Sequence, residues 1–268
     1  MKKVRLDHLL VHLGLVDSRE KGRRLILAGQ VLVNECISDK PGHAIDPEVE
    51  IRLKSTPPFV SRGGEKLESC YPVLGFPIQD KIFMDVGSST GGFTDFLLQN
   101  QARHVYAIDV GLNQLAYSLR IHPQVTAFEK THICSLSKDK ILDSIDGFTA
   151  DVSFISLTRV IPVLKQFSQG SHFLVLLIKP QFEVDPKKLS KHGVVRNPED
   201  TLFAIQKIVS KLEACEYGVR NLDFSKIPGP RGNVEYFIYA KSESVSELVE
   251  ADLKNKVHEQ VEYFRSKI

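Results

Sequence analysis

The 268-residue chain contains no tryptophan, two methionines and four cysteines. The cysteines are far apart and form no C-x-x-C pair, which argues against a disulfide framework or a zinc finger and favours a reducing compartment. No apolar run approaches the ~18–20 residues of a membrane-spanning helix. Arg5, Asp7 and His8 interrupt the region where a signal peptide has its apolar core. These absences argue against a secreted, membrane-spanning or zinc-stabilised protein and predict a cytoplasmic one.

The rest of the composition is ordinary for a globular protein, with 42% hydrophobic and 25% charged residues. Single cores stop growing near ~250–300 residues, so the length fits one large domain with a small appendage. The net charge is +2, but residues 1–28 carry seven basic and three acidic side chains. A basic end on an otherwise balanced chain is a modest indication of a polyanionic partner.

The first sixty residues predict a small module of helices and short strands. Leucines at the spacing i, i+3, i+4 and i+7 from Leu6 predict a first helix. Asp17 and Glu20 have the spacing of a capping box that begins a second helix. Alternating apolar residues then predict two strands, and the Ser-Thr-Pro-Pro sequence at 55–58 predicts a linker.

This module resembles the small RNA-binding domain named after ribosomal small-subunit protein four. The resemblance rests on the string RLDHLLVHLGLVDSREKGRRLILAGQVLVNE. In that family the second helix presents basic residues to structured RNA, and contacts to phosphates give affinity without reading bases. The RNA-binding positions that it implies are Arg5, Arg19, Lys21, Arg23 and Arg24. The alternative is a DNA-binding helix-turn-helix, which the strand residues after the helices disfavour.

The remaining residues, 59–268, alternate between strand and helix patterns, so we expect a small α+β domain over residues 1–58 and a large domain after it. The predicted strands are 82–86, 104–110, 125–128, 147–152, 172–178, 217–224 and 234–240. The predicted helices are 91–100, 113–120, 157–167, 199–215 and a last one with an apolar stripe from Val245 to Phe264. This alternation predicts a Rossmann-like α/β fold with a mostly parallel sheet and helices on both faces.

A glycine-rich sequence, DVGSSTGGFT from Asp85 to Thr94, joins a predicted strand to a predicted helix, where α/β sheets bind nucleotides. It has neither the spacing of a dinucleotide fingerprint nor the G-K-[ST] of a phosphate loop. The carboxylate of Asp85 suits a cationic amine, such as that of S-adenosylmethionine, and Asp109 after the next strand can accept both ribose hydroxyls. We favour S-adenosylmethionine over NAD and over a turn that binds nothing.

Four charged residues stand at predicted strand ends or where the large domain begins: Lys66, Asp151, Lys179 and Glu235. The carboxyl ends of strands are where α/β enzymes assemble their sites. A lysine that closes a run as apolar as 173–178 is unusual, because lysine is rarely buried without a partner. Taken singly, each residue has a simpler structural explanation, for example a lysine whose ammonium reaches solvent.

Seven motifs together resemble the TlyA-type family, often labelled hemolysin A: SRGGEKL, DVGSSTGGFTDFLLQ, AIDVGLNQL, DVSFISL, IKPQFE, HGVVRNPE and GPRGNVEYF. The family couples the small RNA-binding domain to an FtsJ-like ribose methyltransferase. The resemblance implies S-adenosylmethionine-dependent 2′-O-methylation of ribosomal RNA, with cytidine as the expected nucleotide and no metal. The catalytic tetrad that it implies is Lys66, Asp151, Lys179 and Glu235. The cofactor positions are Asp85, Gly87, Ser88, Ser89, Gly91, Gly92, Asp109, Val110 and Glu129.

Two residues depart from the expected family pattern. His132 stands in EKTHIC in place of asparagine, and Asn197 stands in VRNPE in place of aspartate. Neither change touches the tetrad. The alternatives are a non-catalytic ribosome-assembly factor, which the intact tetrad disfavours, and a membrane-active hemolysin, which the absent spanning segment disfavours. Base methylation is also disfavoured, because no N-P-P-[YF] loop follows the fourth strand.

The expected mechanism requires alignment and the loss of one proton, because a ribose hydroxyl must attack the methyl group in line. Lys179 contacts the hydroxyl, either as a base or as a stabiliser of the developing alkoxide. Asp151 orients Lys179, and Glu235 holds Lys66 or the substrate. The ring that stacks on a flipped nucleotide is left open among Phe154, Phe182 and Tyr236.

Overall fold

The structure is a computed structural model that describes residues 3–16, 18–54, 58–229 and 231–267. The chain forms two compact units, residues 1–58 and residues 59–268. Two sequence-based expectations, the capping residue Asp17 and most of the linker at 55–58, lie outside the described residues.

The first unit places two helices beside two small antiparallel sheets. Its elements are β1 (Val4–Arg5), α1 (Leu6–His12), α2 (Arg19–Leu27), β2 (Val31–Val33), β3 (Cys36–Ile37), β4 (Ala44–Ile45) and β5 (Ile51–Leu53). β1 pairs with β4, and β2 lies between β3 and β5. Ser18 caps α2 by accepting a hydrogen bond from the backbone N–H of Lys21. Of the predicted leucine face, Leu6, Leu9 and Leu10 are buried in the core, whereas Leu13 lies just after the end of α1 and is exposed.

The second unit contains a seven-stranded sheet flanked by helices. Its elements are α3 (Arg62–Leu74), β6 (Ile82–Val86), α4 (Gly92–Gln99), β7 (His104–Ile108), α5 (Tyr117–Arg120), β8 (Val125–Phe128), β9 (Gly147–Ala150), α6 (Leu157–Leu164), β10 (Phe173–Ile178), α7 (Pro180–Glu183), α8 (Pro198–Ala214), β11 (Tyr217–Phe224), β12 (Tyr236–Ser242) and α9 (Glu250–Arg265). The strand order is β11-β12-β10-β9-β6-β7-β8. β6 to β10 pair in parallel, and β12 is antiparallel to both of its neighbours.

The sheet is buried on both faces, as the predicted Rossmann-like fold requires. All six residues of β10 are buried, and they alternate between two clusters, Leu174, Leu176 and Ile178 in one and Phe173, Val175 and Leu177 in the other. The strand order changes direction between β6 and β9, because the chain adds β7 and β8 on one side and returns to the other. Open α/β sheets bind ligands at the carboxyl ends of the strands beside such a switch.

Several predicted bounds were wrong. The helix predicted over 113–120 begins only at Tyr117, because Asn113 adopts a left-handed φ of 55° that no helix accommodates. The last helix begins at Glu250, and Val245 and Val249 are exposed. Helix α3 was not predicted. Within the described residues, no helix has the length and apolarity needed to cross a membrane.

Candidate active site

Three cavities meet at the carboxyl ends of β6 and β9. Cavity A, of about 440 Å³, is lined by residues that include Val86, Ile108, Asp109, Val110, His132 and Ile133. Cavity B, of about 320 Å³, is lined by residues that include Ser61, Lys66, Asp85, Gly87, Ser88 and Gly92. Cavity C, of about 430 Å³, is lined by residues that include Lys66, Lys179, Phe154, Phe182, Arg231 and Glu235. Asp151 lines all three cavities.

The four residues of the predicted tetrad are brought together as two ion pairs in cavity C. Nζ of Lys66 donates to Oε2 of Glu235 at 2.6 Å, and both side chains are buried. Nζ of Lys179 lies 2.6 Å from Oδ1 of Asp151 and donates to Oγ of Ser153 at 2.8 Å. An ammonium group has three hydrogens. The hydrogen bond to Ser153 uses one of them, and Asp151 is an ion-pair partner whose Oδ1 accepts no hydrogen bond from the described residues, so Lys179 retains a donor for a ligand in cavity C.

The glycine-rich turn after β6 is tight because protein atoms crowd it. A Cβ atom at Gly87 would lie 2.5 Å from the carbonyl oxygen of Asp151. Gly91 has a φ of 97°, and a Cβ atom there would lie 2.3 Å from Cδ1 of Leu119. Gly91 lines none of cavities A, B and C. Gly91, which the resemblance gave as a cofactor position, is therefore required to be glycine by packing against Leu119.

The carboxylate of Asp85 lies at the base of cavity B and is fully buried. It accepts hydrogen bonds from the hydroxyl of Thr94 at 2.7 Å and from the hydroxyl of Thr149 at 2.9 Å. It also accepts from the backbone N–H of Thr94. Burial raises the pKa of Asp85 to about 6, although these hydrogen bonds oppose the rise. A cationic group in cavity B would favour the ionised form.

The carboxylate of Asp109 is held at the end of β7 by two backbone groups. Oδ2 accepts from the N–H of Ser89 at 2.8 Å, and Oδ1 accepts from the N–H of Gly111 at 2.7 Å. Both oxygens keep lone pairs for hydroxyl donors. Val110 and Ser89 also line cavity A. Glu129 does not line cavities A, B or C, and its carboxylate lies 3.6 Å from the guanidinium of Arg120.

The two departures from the family pattern have separate places in the structure. His132 lines cavity A, and its Nδ1 accepts from the backbone N–H of Cys134 at 3.2 Å. Asn197 caps α8, where its side-chain oxygen accepts from the backbone N–H of Glu199. An aspartate would cap the helix in the same way. His132 therefore changes the wall of cavity A, whereas Asn197 preserves a structural contact.

Cavities A and B fit the two ends of S-adenosylmethionine. Val86, Ile108 and Ile133 give cavity A apolar walls for a purine, next to the Asp109 carboxylate for ribose hydroxyls. Cavity B offers the buried carboxylate of Asp85 to a cationic amine. Gly87 and Ser89 line both cavities, so one elongated ligand can occupy both.

In the first unit, three of the five predicted RNA-binding residues line one groove. The groove, of about 570 Å³, is lined by Arg5, Arg19, Arg23 and the buried Asp7, among others. Asp7 accepts two hydrogen bonds from Arg5 and one from Arg19, each at 2.9–3.0 Å. These guanidinium groups lower the pKa of Asp7 well below its usual range. Lys21 and Arg24 are exposed on α2 but do not line the groove.

Sequence reasoning missed the residues that fix the predicted ones in place. Asp7 holds two arginines, Ser153 is the second partner of Lys179, and Thr94 and Thr149 hold Asp85. A weak signal existed for Ser153, since it follows Asp151 by two residues in DVSFISL. Thr149 had none, because its position beside Asp85 depends on the pairing of β6 with β9.

Comparisons with known proteins identify the family of each unit. Residues 59–242 match the model for FtsJ-like methyltransferases, and residues 4–51 match the model for S4 domains. Bacillus subtilis YqxC, proposed to be an rRNA methyltransferase, is 40% identical over 264 residues, which are 96% of this chain and 94% of that protein. Mycobacterium tuberculosis TlyA, named a 16S/23S rRNA (cytidine-2′-O)-methyltransferase, is 34% identical over 259 residues, 96% of this chain and 97% of that protein.

A solved structure from Streptococcus thermophilus, titled as a proposed hemolysin, superposes with a TM-score of 0.77 at 34% identity. The match covers 100% of this chain and 98% of that one. The family resemblance drawn from the motifs is therefore confirmed over both units. This chain belongs to the FtsJ-like methyltransferase family, with an S4 domain before it, and its cofactor is S-adenosylmethionine.

Proposed function

We propose that this enzyme methylates the 2′-hydroxyl of a cytidine in ribosomal RNA, with Lys179 in contact with the reacting oxygen. The observation that carries the proposal is the position of Asp151, which lines the two cofactor cavities and cavity C while its carboxylate pairs with Lys179. The S4 match and the printed function of the Mycobacterium tuberculosis relative support ribosomal RNA and cytidine as the substrate.

We further propose roles for the remaining predicted residues. The first unit, residues 1–58, binds RNA through Arg5, Arg19 and Arg23, and the second unit, residues 59–268, carries out the reaction. Asp109 binds the ribose of the cofactor, and Asp85 binds its amine. The other cofactor positions that line cavities A and B are Gly87, Ser88, Ser89, Gly92 and Val110.

The proposed mechanism relies on a fixed ammonium group. S-adenosylmethionine, when bound, supplies a methyl group on a positively charged sulfur. Asp151 and Ser153 hold Nζ of Lys179, so its remaining N–H can point to the ribose oxygen. In its charged form, this donor would align the oxygen and stabilise the negative charge that develops on it as the hydroxyl proton passes to a water molecule. Lys66, held by Glu235, presents a second positive charge to the same cavity.

The structure narrows the choice among the three candidate stacking rings. Tyr236 is fully buried, and its hydroxyl donates to Gln260 at 2.9 Å. Phe154 is 91% exposed, and its ring centroid lies 5.2 Å from that of Phe182. Both phenylalanines line cavity C. We therefore assign Phe154 and Phe182 as the rings that face a flipped nucleotide base.

The test uses methyl-labelled S-adenosylmethionine with purified small subunits, large subunits, whole ribosomes and naked ribosomal RNA. Digestion of the labelled RNA is expected to release 2′-O-methylcytidine. The Lys179→Ala variant should lose about 10²–10³-fold in rate, the typical cost of removing one preorganised donor. Lys138→Ala, which removes an exposed lysine that lines none of cavities A, B and C, is the matched control.

Two outcomes would contradict the proposal. One is label recovered in a base, or in no RNA at all, although the protein binds the cofactor. The other is a Lys179→Ala variant that keeps the parent rate with its fold and cofactor affinity intact. Calorimetric titration with S-adenosylmethionine supplies the affinity for each variant.

A further inference from the structure

We infer that Glu183 is a positioning residue, which holds the loop of residues 151–156 in a fixed position relative to Lys179. Glu183 is the last residue of α7, the short helix that begins directly after Lys179. It is buried, and it lines none of cavities A, B and C. The inference rests on the proposed function, because the loop carries Asp151, Ser153 and Phe154.

The carboxylate of Glu183 joins three elements. Oε1 accepts from the backbone N–H of Leu157 at 2.8 Å, and Oε2 accepts from the hydroxyl of Ser156 at 2.6 Å. These two residues are the capping residue and the first residue of α6. Nζ of Lys207 on α8 donates to Oε2 at 2.9 Å and to the carbonyl oxygen of Glu183 at 2.8 Å. The carboxylate thus fixes the end of the loop to α7 and α8.

The start of the loop is fixed by the sheet. The backbone N–H of Asp151 donates to the carbonyl oxygen of Val86 at the end of β6. Between the two fixed ends, Phe154 adopts a left-handed φ of 64°, which is unfavourable for a bulky residue. Such a conformation persists only where the surroundings over-determine it. Glu183 is the anchor at the far end, and Phe182, its neighbour, lies against the ring of Phe154.

Loss of this anchor frees the loop to move relative to Lys179. Asp151 and Ser153 then no longer hold Nζ at a fixed point, and the ring of Phe154 no longer has a fixed place. A misplacement of about 1 Å costs about 100-fold in rate for a reaction that depends on alignment. Glu183 itself lines none of cavities A, B and C, although the loop that it anchors lines cavities A and C. The loss should therefore fall more heavily on kcat, which depends on alignment, than on KM.

The test compares Glu183→Ala and Glu183→Gln with the parent enzyme in steady-state methyl transfer to ribosomal RNA. We expect kcat to fall about 100-fold for Glu183→Ala, with KM for cofactor and RNA within about threefold. Glu183→Gln keeps one acceptor oxygen and should recover about tenfold of that loss.

Asp223→Asn is the matched control for a merely structural loss. Asp223 is another buried carboxylate that bridges elements, since it pairs with Lys226 and with Lys256 on α9. This variant should lower the unfolding temperature as the Glu183 variants do, yet keep kcat within about twofold of the parent.

A second readout does not need activity. Because the chain has no tryptophan, Phe182→Trp introduces a single tryptophan against Phe154, which can be excited selectively at long wavelengths, where tyrosine absorbs little. Adding Glu183→Gln to it should shift the emission to the red and increase quenching by acrylamide. Unchanged emission together with an unchanged kcat in a folded variant would overturn the inference. If the parent transfers no methyl group, the proposed function is wrong, and the fluorescence alone decides whether Glu183 anchors the loop.

Discussion

At the scale of single residues, the buried carboxylate of Asp85 makes the free energy of unfolding depend on pH. Asp85 has no contact with solvent, and burial raises its pKa to about 6. An aspartate in an unfolded chain has a pKa near 3.9. Between these two values the folded protein holds more protons than the unfolded chain. The free energy of unfolding therefore falls as the pH rises from about 4 to about 6.

Asp85→Asn should remove this pH dependence while it preserves the shape of the side chain. A shift of about two pKa units corresponds to about 2–3 kcal/mol. We expect the drop in the free energy of unfolding between pH 4 and pH 7.5 to be smaller by about that amount in the variant. Urea unfolding of the cofactor-free protein at several pH values measures it. Parallel pH curves for parent and variant would contradict this assignment.

At the scale of secondary structure elements, α3 and α4 approach closely through glycines. A Cβ atom at Gly92 would lie 2.3 Å from Oγ of Ser61 and 2.7 Å from the backbone nitrogen of Gly64. A backbone atom cannot move aside as a flexible side chain can. The contact fixes the start of α3, the helix that carries Lys66 towards Glu235.

Gly92→Ala should therefore force the two helices apart. We expect a loss of about 1–3 kcal/mol in stability, the usual cost of overpacking. The rate of methyl transfer should also fall, because Lys66 moves with α3. Gly63→Ala is the matched control, since a Cβ atom there would meet its nearest neighbour at an ordinary 3.4 Å. Thermal unfolding of the two variants distinguishes them, and equal losses would argue against a tight contact at Gly92.

The sequence was sufficient for elements whose pattern is strong and local. The strands β6, β8 and β11 have the predicted bounds, because their apolar runs end at polar or glycine-rich segments. Helix α3 was missed because it has two glycines in its first turn and contains Pro72, which argue against a helix until packing on α4 is considered. The tetrad positions came from motifs, whereas their pairing across 169 residues from Lys66 to Glu235 required the sheet topology.

At the scale of the whole molecule, the arginine-lined groove and cavities A, B and C belong to different units of the chain. The first unit gathers Arg5, Arg19 and Arg23 around the buried Asp7, which keeps two of the three guanidinium groups in place. The second unit has cavities A, B and C, where we propose that the cofactor and the reacting nucleotide bind. RNA affinity and cofactor affinity should therefore respond to different substitutions.

The double substitution Arg19→Ala with Arg23→Ala should weaken RNA binding and leave cofactor binding unchanged. Each lost phosphate contact should reduce the slope of log affinity against log salt by about 1. Arg103→Ala with Arg265→Ala removes the same charge from exposed sites on the second unit and is the control. Filter binding of ribosomal RNA over a range of salt measures the slopes. An equal change in both double variants would mean that net charge, not the groove, attracts RNA.

The shared wall at Asp151 has a consequence for inhibition. Cavity A, which we propose for the adenosine of the cofactor, and cavity C, which contains Lys179, share Asp151, Ser153 and Phe154 in their walls. An adenosine joined to a nucleoside by a short linker that passes Asp151 would span both. Such a bisubstrate compound gains from effective concentration, because its second half binds as an intramolecular partner. Because the two cavities share this wall, a single molecule can occupy both halves of the site.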